Sequence, residues 1–98
     1  MDEVFKALAD PTRRGLLDSL FEQDGQTQKE LEAGLEMTRF GVMKHLKVLE
    51  RAGLVTRGRT AQWRPCRIEG APLKDAMDWM AQYRQFCAFV MEMIGQIP

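Results

Sequence analysis

Eight cations, Arg39, Lys44, Lys47, Arg51, Arg57, Arg59, Arg64 and Arg67, stand together with Glu50 as the only acid among them, a local charge of +7 in a 98-residue chain whose total charge is zero. Guanidinium and ammonium groups concentrated in this way suit the binding of phosphate oxygens and base edges, because the fork of an arginine matches both. The flanks compensate, with −5 over residues 1–38 and −2 over residues 68–98. A solvated charged face that binds nothing is the bland alternative, and the shortage of acids inside the block argues against it.

Other chemistries find fewer residues to use. His45 is the only histidine, and one imidazole without a nearby cysteine, aspartate or second histidine cannot complete a four-ligand site, so no metal and no cofactor are expected. It is read as a helix-packing or phosphate-adjacent residue. Ser19 has no histidine at a useful spacing and no glycine-rich phosphate loop follows a strand, so no catalytic residues and no enzyme activity are expected. Cys66 and Cys87 lie far apart and read as two reduced thiols. Cys66, between Arg64 and Arg67, is the readier thiolate, while Cys87 falls on an apolar helix seam.

The cations need elements to hold them. Val4, Phe5 and Leu8 have helical spacing up to Asp10-Pro11, where the aspartate can cap a second helix and the proline can occupy its first position. Leu16, Leu17, Leu20 and Phe21 form the apolar stripe of that helix, which stops at Asp24-Gly25. Thr27 and Glu30 make a capping box for a short third helix with Leu31 and Leu35 inward. Thr38 caps a fourth, whose buried edge is Val42, Leu46 and Leu49 and which Gly53 closes, leaving Arg39, Phe40, Met43, Lys44, Lys47, Glu50 and Arg51 outward. Leu54 to Arg57, a turn over Gly58 to Ala61, and Gln62 to Ile68 read as a basic hairpin, with Pro65 confining the returning strand to an edge or breaking it.

The last and longest helix follows Pro72. Leu73, Ala76, Met80, Tyr83, Cys87, Val90 and Ile94 have the spacing of a helix-to-helix seam, and Trp79, Phe86, Phe89, Met91 and Met93 add apolar area off it. A chain this short gains from a second subunit. Met1 to Asp10 lacks the apolar run of a signal peptide and no stretch is apolar over a membrane-spanning length, so a cytoplasmic protein with no membrane partner is expected.

A helix, a short turn, a helix with a cationic face and a cationic hairpin make the arrangement of a mainly α winged helix-turn-helix: residues 1–98 as one DNA-binding domain, with a two-stranded wing and a long C-terminal dimerisation helix. In that geometry Arg39 and Lys44 reach base edges, Thr38 suits a phosphate, and Lys47 and Arg51 approach the backbone. Phe40 and Met43 either touch thymine methyl groups or pack beneath the preceding helix. Arg57, Arg59 and Arg64 place guanidinium groups on the wing, beside the minor groove.

The strings VFKALADPTRRGLLDSL and KHLKVLERAGLV resemble the arsenic-repressor (ArsR) type of winged-helix regulators over nearly the whole chain. The resemblance implies a homodimer on a palindromic double-stranded DNA operator, acting as a repressor, with recognition-helix contacts from Thr38, Arg39, Phe40, Gly41, Met43 and Lys44. It also implies that the first and last helices pair across the dimer axis, over residues 1–10 and 72–95. Val4, Phe5, Leu8, Leu73, Met77, Met80, Tyr83, Cys87, Val90 and Ile94 are the expected interface. Metal-sensing members carry a cysteine pair before the recognition helix, or Asp and His ligands on the last helix. Lys29 to Leu35 has no cysteine and the last helix no histidine, so the chain looks like the non-metal branch. Glu36 stands where a glycine is usual and Glu32 where a small residue is usual, with Gly34 able to turn the chain earlier. The competing class is a winged helix turned protein-interaction module. A small-molecule effector near Trp79, Tyr83, Phe86 and Met91 is a further reading, with plain core as its rival.

Overall fold

The computed structural model describes residues 1–58 and 63–95. Helices α1 (Asp2–Leu8) and α2 (Pro11–Glu22) are spliced by the Asp10-Pro11-Thr12-Arg13-Arg14 segment, which serves both helix ends. Asp10 accepts from the backbone N–H groups of Thr12 at 2.8 Å and Arg13 at 3.1 Å, and Pro11 takes the first position, where its missing N–H costs nothing. In the other direction Arg13 donates to the carbonyls of Ala7 at 2.7 Å and Lys6 at 3.0 Å, and Arg14 donates to that of Leu8 at 2.7 Å. Two orphan carbonyls of α1, Ala7 and Leu8, are thereby satisfied by cations at the negative end of its dipole, and that of Lys6, which also accepts from Ala9 N–H, gains a second donor. The Arg13 backbone N–H, then that of Thr12 and the Arg13 charge, hold the Asp10 carboxyl below its ordinary value.

Strand β1 (Gln26–Thr27) and helix α3 (Gln28–Leu35) come next. The capping box is formed: the Thr27 hydroxyl accepts from Glu30 N–H and the Glu30 carboxylate accepts from Thr27 N–H. The turn into α4 (Arg39–Arg51) is made at Glu36, which sits in the left-handed region at φ 52°. Gly34 stays inside α3, so the earlier turn expected there does not occur. Helix α4 ends in a Schellman motif, with Leu54 N–H donating to Leu49 C=O, Gly53 N–H to Glu50 C=O, and Gly53 at φ +76°.

Leu16 and Leu20 of α2, Leu31 of α3, and Val42, Leu46 and Leu49 of α4 are fully buried and close on Leu54, just before the sheet, and on its Val55 and Cys66. Each such leucine contributes about 1.5–3 kcal/mol by leaving water. Phe21, read as part of the buried stripe, is instead 80% exposed, because the core ends at Leu17 and Leu20.

The sheet has three strands, not the expected two, in the order β1-β3-β2, with β2 Val55–Arg57 and β3 Pro65–Ile68, all antiparallel. The returning strand β3 is therefore central and not an edge. Pro65 is tolerated because it begins the strand and uses only its carbonyl, which accepts from Gly58 N–H at 2.9 Å. Buried Gln26 anchors β1 by donating to Ser19 and to the Gln23 carbonyl, and the Asp24 carboxylate accepts from Ile68 N–H at 2.9 Å. The expected turn at Gly58 to Ala61, Arg59 included, and Gln62 lie outside the described residues beyond Gly58.

Helix α5 (Ala71–Met80), one 3-10 turn (Ala81–Tyr83) and helix α6 (Arg84–Gly95) run as one long arm, since Met80, Ala81 and Arg84 all keep helical dihedrals. The arm makes the molecule long, 54 × 28 × 20 Å. Its radius of gyration is 16.4 Å, against about 13 Å for a compact chain of this size.

Candidate nucleic-acid interface

Helix α4 presents three faces. Its N-cap Thr38 accepts from Gly41 N–H at 3.1 Å, and a Cβ at Gly41 would stand only 3.2 Å from that hydroxyl oxygen, so glycine keeps the cap uncrowded. Val42, Leu46 and Leu49 point into the core, which turns Phe40, Lys44, Lys47 and Arg51 outward, and all four are exposed. Phe40 is 75% exposed, so it does not pack beneath α3.

Arg39 and Met43 lie at the edge of that face. With Thr27, Gln28, Lys29 and Glu32 of the preceding elements and Arg57 and Arg64 of the wing they line a groove of about 730 Å³. Within it the cations differ. Arg64 is exposed, with its Nε donating weakly to Gly58 C=O at 3.4 Å. The Arg57 side chain is only 17% exposed, its Nη2 donates to Gln28 Oε1 at 3.1 Å, and its Nε faces Glu50 Oε1 at 3.5 Å. Those two atoms are buried, and the ion contact is all that satisfies them, since neither has a hydrogen-bond partner. Gln28 in turn donates to Glu32 at 3.2 Å and to the Arg39 carbonyl at 3.4 Å. Arg57 thus ties the wing to both ends of the helix-turn-helix, and the single acid of the basic block is its counter-ion. Its expected role as a free wing contact gives way to an internal one.

Arg67 leans over Gly25, whose Cβ position would be 3.3 Å from its Nη1. His45 lies on the edge of α4 away from Lys47, with Nδ1 3.4 Å from Arg13 Nη1, which is the helix-packing alternative. Cys66 is fully buried in the sheet, and burial pushes its thiol up despite nearby Arg57. Cys66 is therefore not the ready thiolate expected.

The residues expected at the subunit interface divide. Val4 is closed into the chain's own core, as is Ala76 of the helix seam, and Leu8 and Leu73 pack at its margin. Phe5 touches Trp79 edge-on at 5.9 Å, and Trp79 meets Tyr83 at 5.4 Å. Met77, Met80, Tyr83, Cys87 and Ile94 are exposed and Val90 is half-buried. Sequence reasoning missed Arg13 and Arg14, although two cations just past a helix end are a recognisable C-cap signal. It also missed Gln28, for which a polar residue in a first helical turn offers no signal.

Helices α2, α3 and α4 with a basic strand pair beside α4 define a winged helix-turn-helix. Among the described residues no helix is long and apolar enough to cross a membrane. The helix-turn-helix domain family model matches residues 8–58. In crystal form, an ArsR family transcriptional regulator is 32% identical, with a TM-score of 0.76 over 89% of each chain. The HTH-type transcriptional regulator YuzN of Bacillus subtilis (strain 168) is 43% identical over 82 residues, covering 78% of this chain and 89% of its own length. The transcriptional repressor SdpR of the same organism is 30% identical over 83 residues, covering 85% of this chain and 91% of its own. The chain belongs to the ArsR family of winged helix-turn-helix proteins, and it is a DNA-binding transcriptional regulator.

Proposed function

We propose that the chain acts in the cytoplasm as a homodimer that represses transcription from a two-fold operator. The observation that carries this reading is the outward face of α4, where Lys44, Lys47 and Arg51 are exposed beside a groove holding Arg39 and Arg64. Repression is supported by the likeness to a transcriptional repressor. Dimerisation is supported by the unburied apolar arm, with Phe5, Met77, Met80, Tyr83, Cys87, Val90 and Ile94 as the contacting set. Two helices related by a dyad read successive major grooves when they stand about 34 Å apart.

On the DNA side Arg39 and Lys44 reach base edges, with Gly41 and Met43 beside them. The Thr38 hydroxyl, whose oxygen already accepts from Gly41, has its proton free for a phosphate. Lys47, Arg51, Arg64 and Arg59 take backbone phosphates. Arg57 acts from inside, as a positioning residue for the wing.

Titration of an operator selected from random DNA, at two salt concentrations, tests the assignment. Arg39→Ala loses about 1–3 kcal/mol on the operator and relaxes preference at one base pair, whereas Lys47→Ala weakens all sequences alike and lowers the salt slope by about 1. Equal losses on operator and random DNA for Arg39→Ala would contradict its base contact. A protein without sequence preference and with little salt dependence would be an interaction module instead.

A further inference from the structure

We propose that Phe40 determines specificity by reading the 5-methyl group of an operator thymine, an inference that rests on the DNA-binding reading of α4. Phe40 is the second residue of α4, and the N-terminal turn of a recognition helix is the part that goes deepest into a major groove. Its ring is 75% exposed and lies outside the apolar core, so nothing in the subunit's packing accounts for it. The side chains that share its face, Lys44, Lys47 and Arg51, are cations.

An apolar ring at the head of a row of cations is complementary to a surface that is anionic at its edges and apolar at its floor. The major groove is such a surface, because phosphates wall it and the only hydrocarbon group on its floor is the thymine methyl. Met43, the other apolar residue of the outward region, is half-buried as a wall of the groove beside Arg57 and cannot extend as freely. The Thr38 cap fixes the backbone of this first turn through Gly41 N–H, which holds the Phe40 Cα in place relative to the bases.

The test uses the full chain and its selected operator, synthesised with each thymine replaced in turn by deoxyuridine, a change that deletes one methyl group. The expected result is one thymine per half-site at which uracil weakens binding about fourfold, the equivalent of one buried methyl at about 0.8 kcal/mol. Phe40→Ala should bind the thymine and uracil duplexes alike, and Phe40→Leu should keep part of the difference. Because Phe40 lies outside the core, its variants should unfold at the wild-type urea midpoint.

Salt-dependent, sequence-selective binding with no uracil penalty at any position would overturn the role of Phe40 and leave the regulator reading standing. So would an undiminished penalty in Phe40→Ala, or an operator without thymine under the helix. Loss of all sequence preference in the wild-type protein would remove both.

Discussion

Helices α4 and α6 are nearly equal in length, 13 and 12 residues, and both turn much of their surface to solvent. They do so on opposite terms. Helix α4 buries Val42, Leu46 and Leu49 and shows lysines and arginines, so its solvent face is complete in water and needs no ligand to be stable. Helix α6 buries no residue, while Phe86, Phe89, Met91, Met93 and Ile94 are all more than half exposed. An isolated helix of that length is marginal in water. The subunit is thus self-sufficient along the face proposed for DNA and leaves apolar surface uncovered along the arm proposed for pairing.

A charge placed on the arm should break this contrast most severely. Phe89→Asp puts a carboxylate among Phe86, Met93 and their partners, and loss of a central aromatic anchor costs about 2–4 kcal/mol or more. We expect sedimentation equilibrium to show single subunits at micromolar concentration and operator affinity to fall on the order of 100-fold. The subunit's own core, which contains no α6 residue, should still unfold in one cooperative urea transition. A variant that still pairs and still binds would mean that the arm is not the assembly surface.

The two wing arginines sharpen the same distinction at smaller scale. Arg57→Gln strands the buried Glu50 oxygen, and an unpaired buried polar group costs about 1–3 kcal/mol of folding stability. Arg64→Gln removes an exposed side chain, so urea unfolding should change by no more than about 0.5 kcal/mol while the salt slope of DNA binding falls. The reverse pattern, with Arg57→Gln neutral for folding and Arg64→Gln costly, would exchange their roles.

Local signals were the legible part of this chain. Asp10-Pro11, the Thr27 and Glu30 box, the Thr38 cap and Gly53 each declare a helix end through chemistry within four residues, and each end falls where expected. The Val42, Leu46 and Leu49 spacing likewise fixes which face of α4 is free. What failed was non-local. The charge of Arg57 said nothing of Glu50 and Gln28, which come from other elements. The two residues of β1 are too few to show alternation, so β3 could not be seen to be central. Cys66 read as cationic in surroundings because Arg64 and Arg67 flank it, yet it packs into the core on the face opposite Arg67, and Arg64 lies before β3 begins. Phe21 has the right spacing for the α2 stripe but lies beyond the core's reach.

One local departure remains, and it allows the finest comparison. Helices α3 and α4 both end on a left-handed residue, Gly53 at φ +76° after α4 and Glu36 at φ 52° after α3. Glycine adopts that region freely, whereas a residue with a Cβ is strained there by roughly 1–2 kcal/mol. The greater freedom of glycine in the unfolded chain offsets about 0.4–1 kcal/mol of any gain. Glu36→Gly should therefore stabilise the protein by about 0.5–1 kcal/mol, read as a higher urea midpoint at fixed protein concentration. Gly53→Ala should shift it the other way, because its backbone dihedral disfavours any Cβ, even though the nearest atom, Pro72 Cγ, is at an ordinary 3.5 Å. If Glu36→Gly left the midpoint unchanged or lowered it, the carboxylate would have to be supplying a compensating interaction in the turn between α3 and α4, and operator affinity would fall with it.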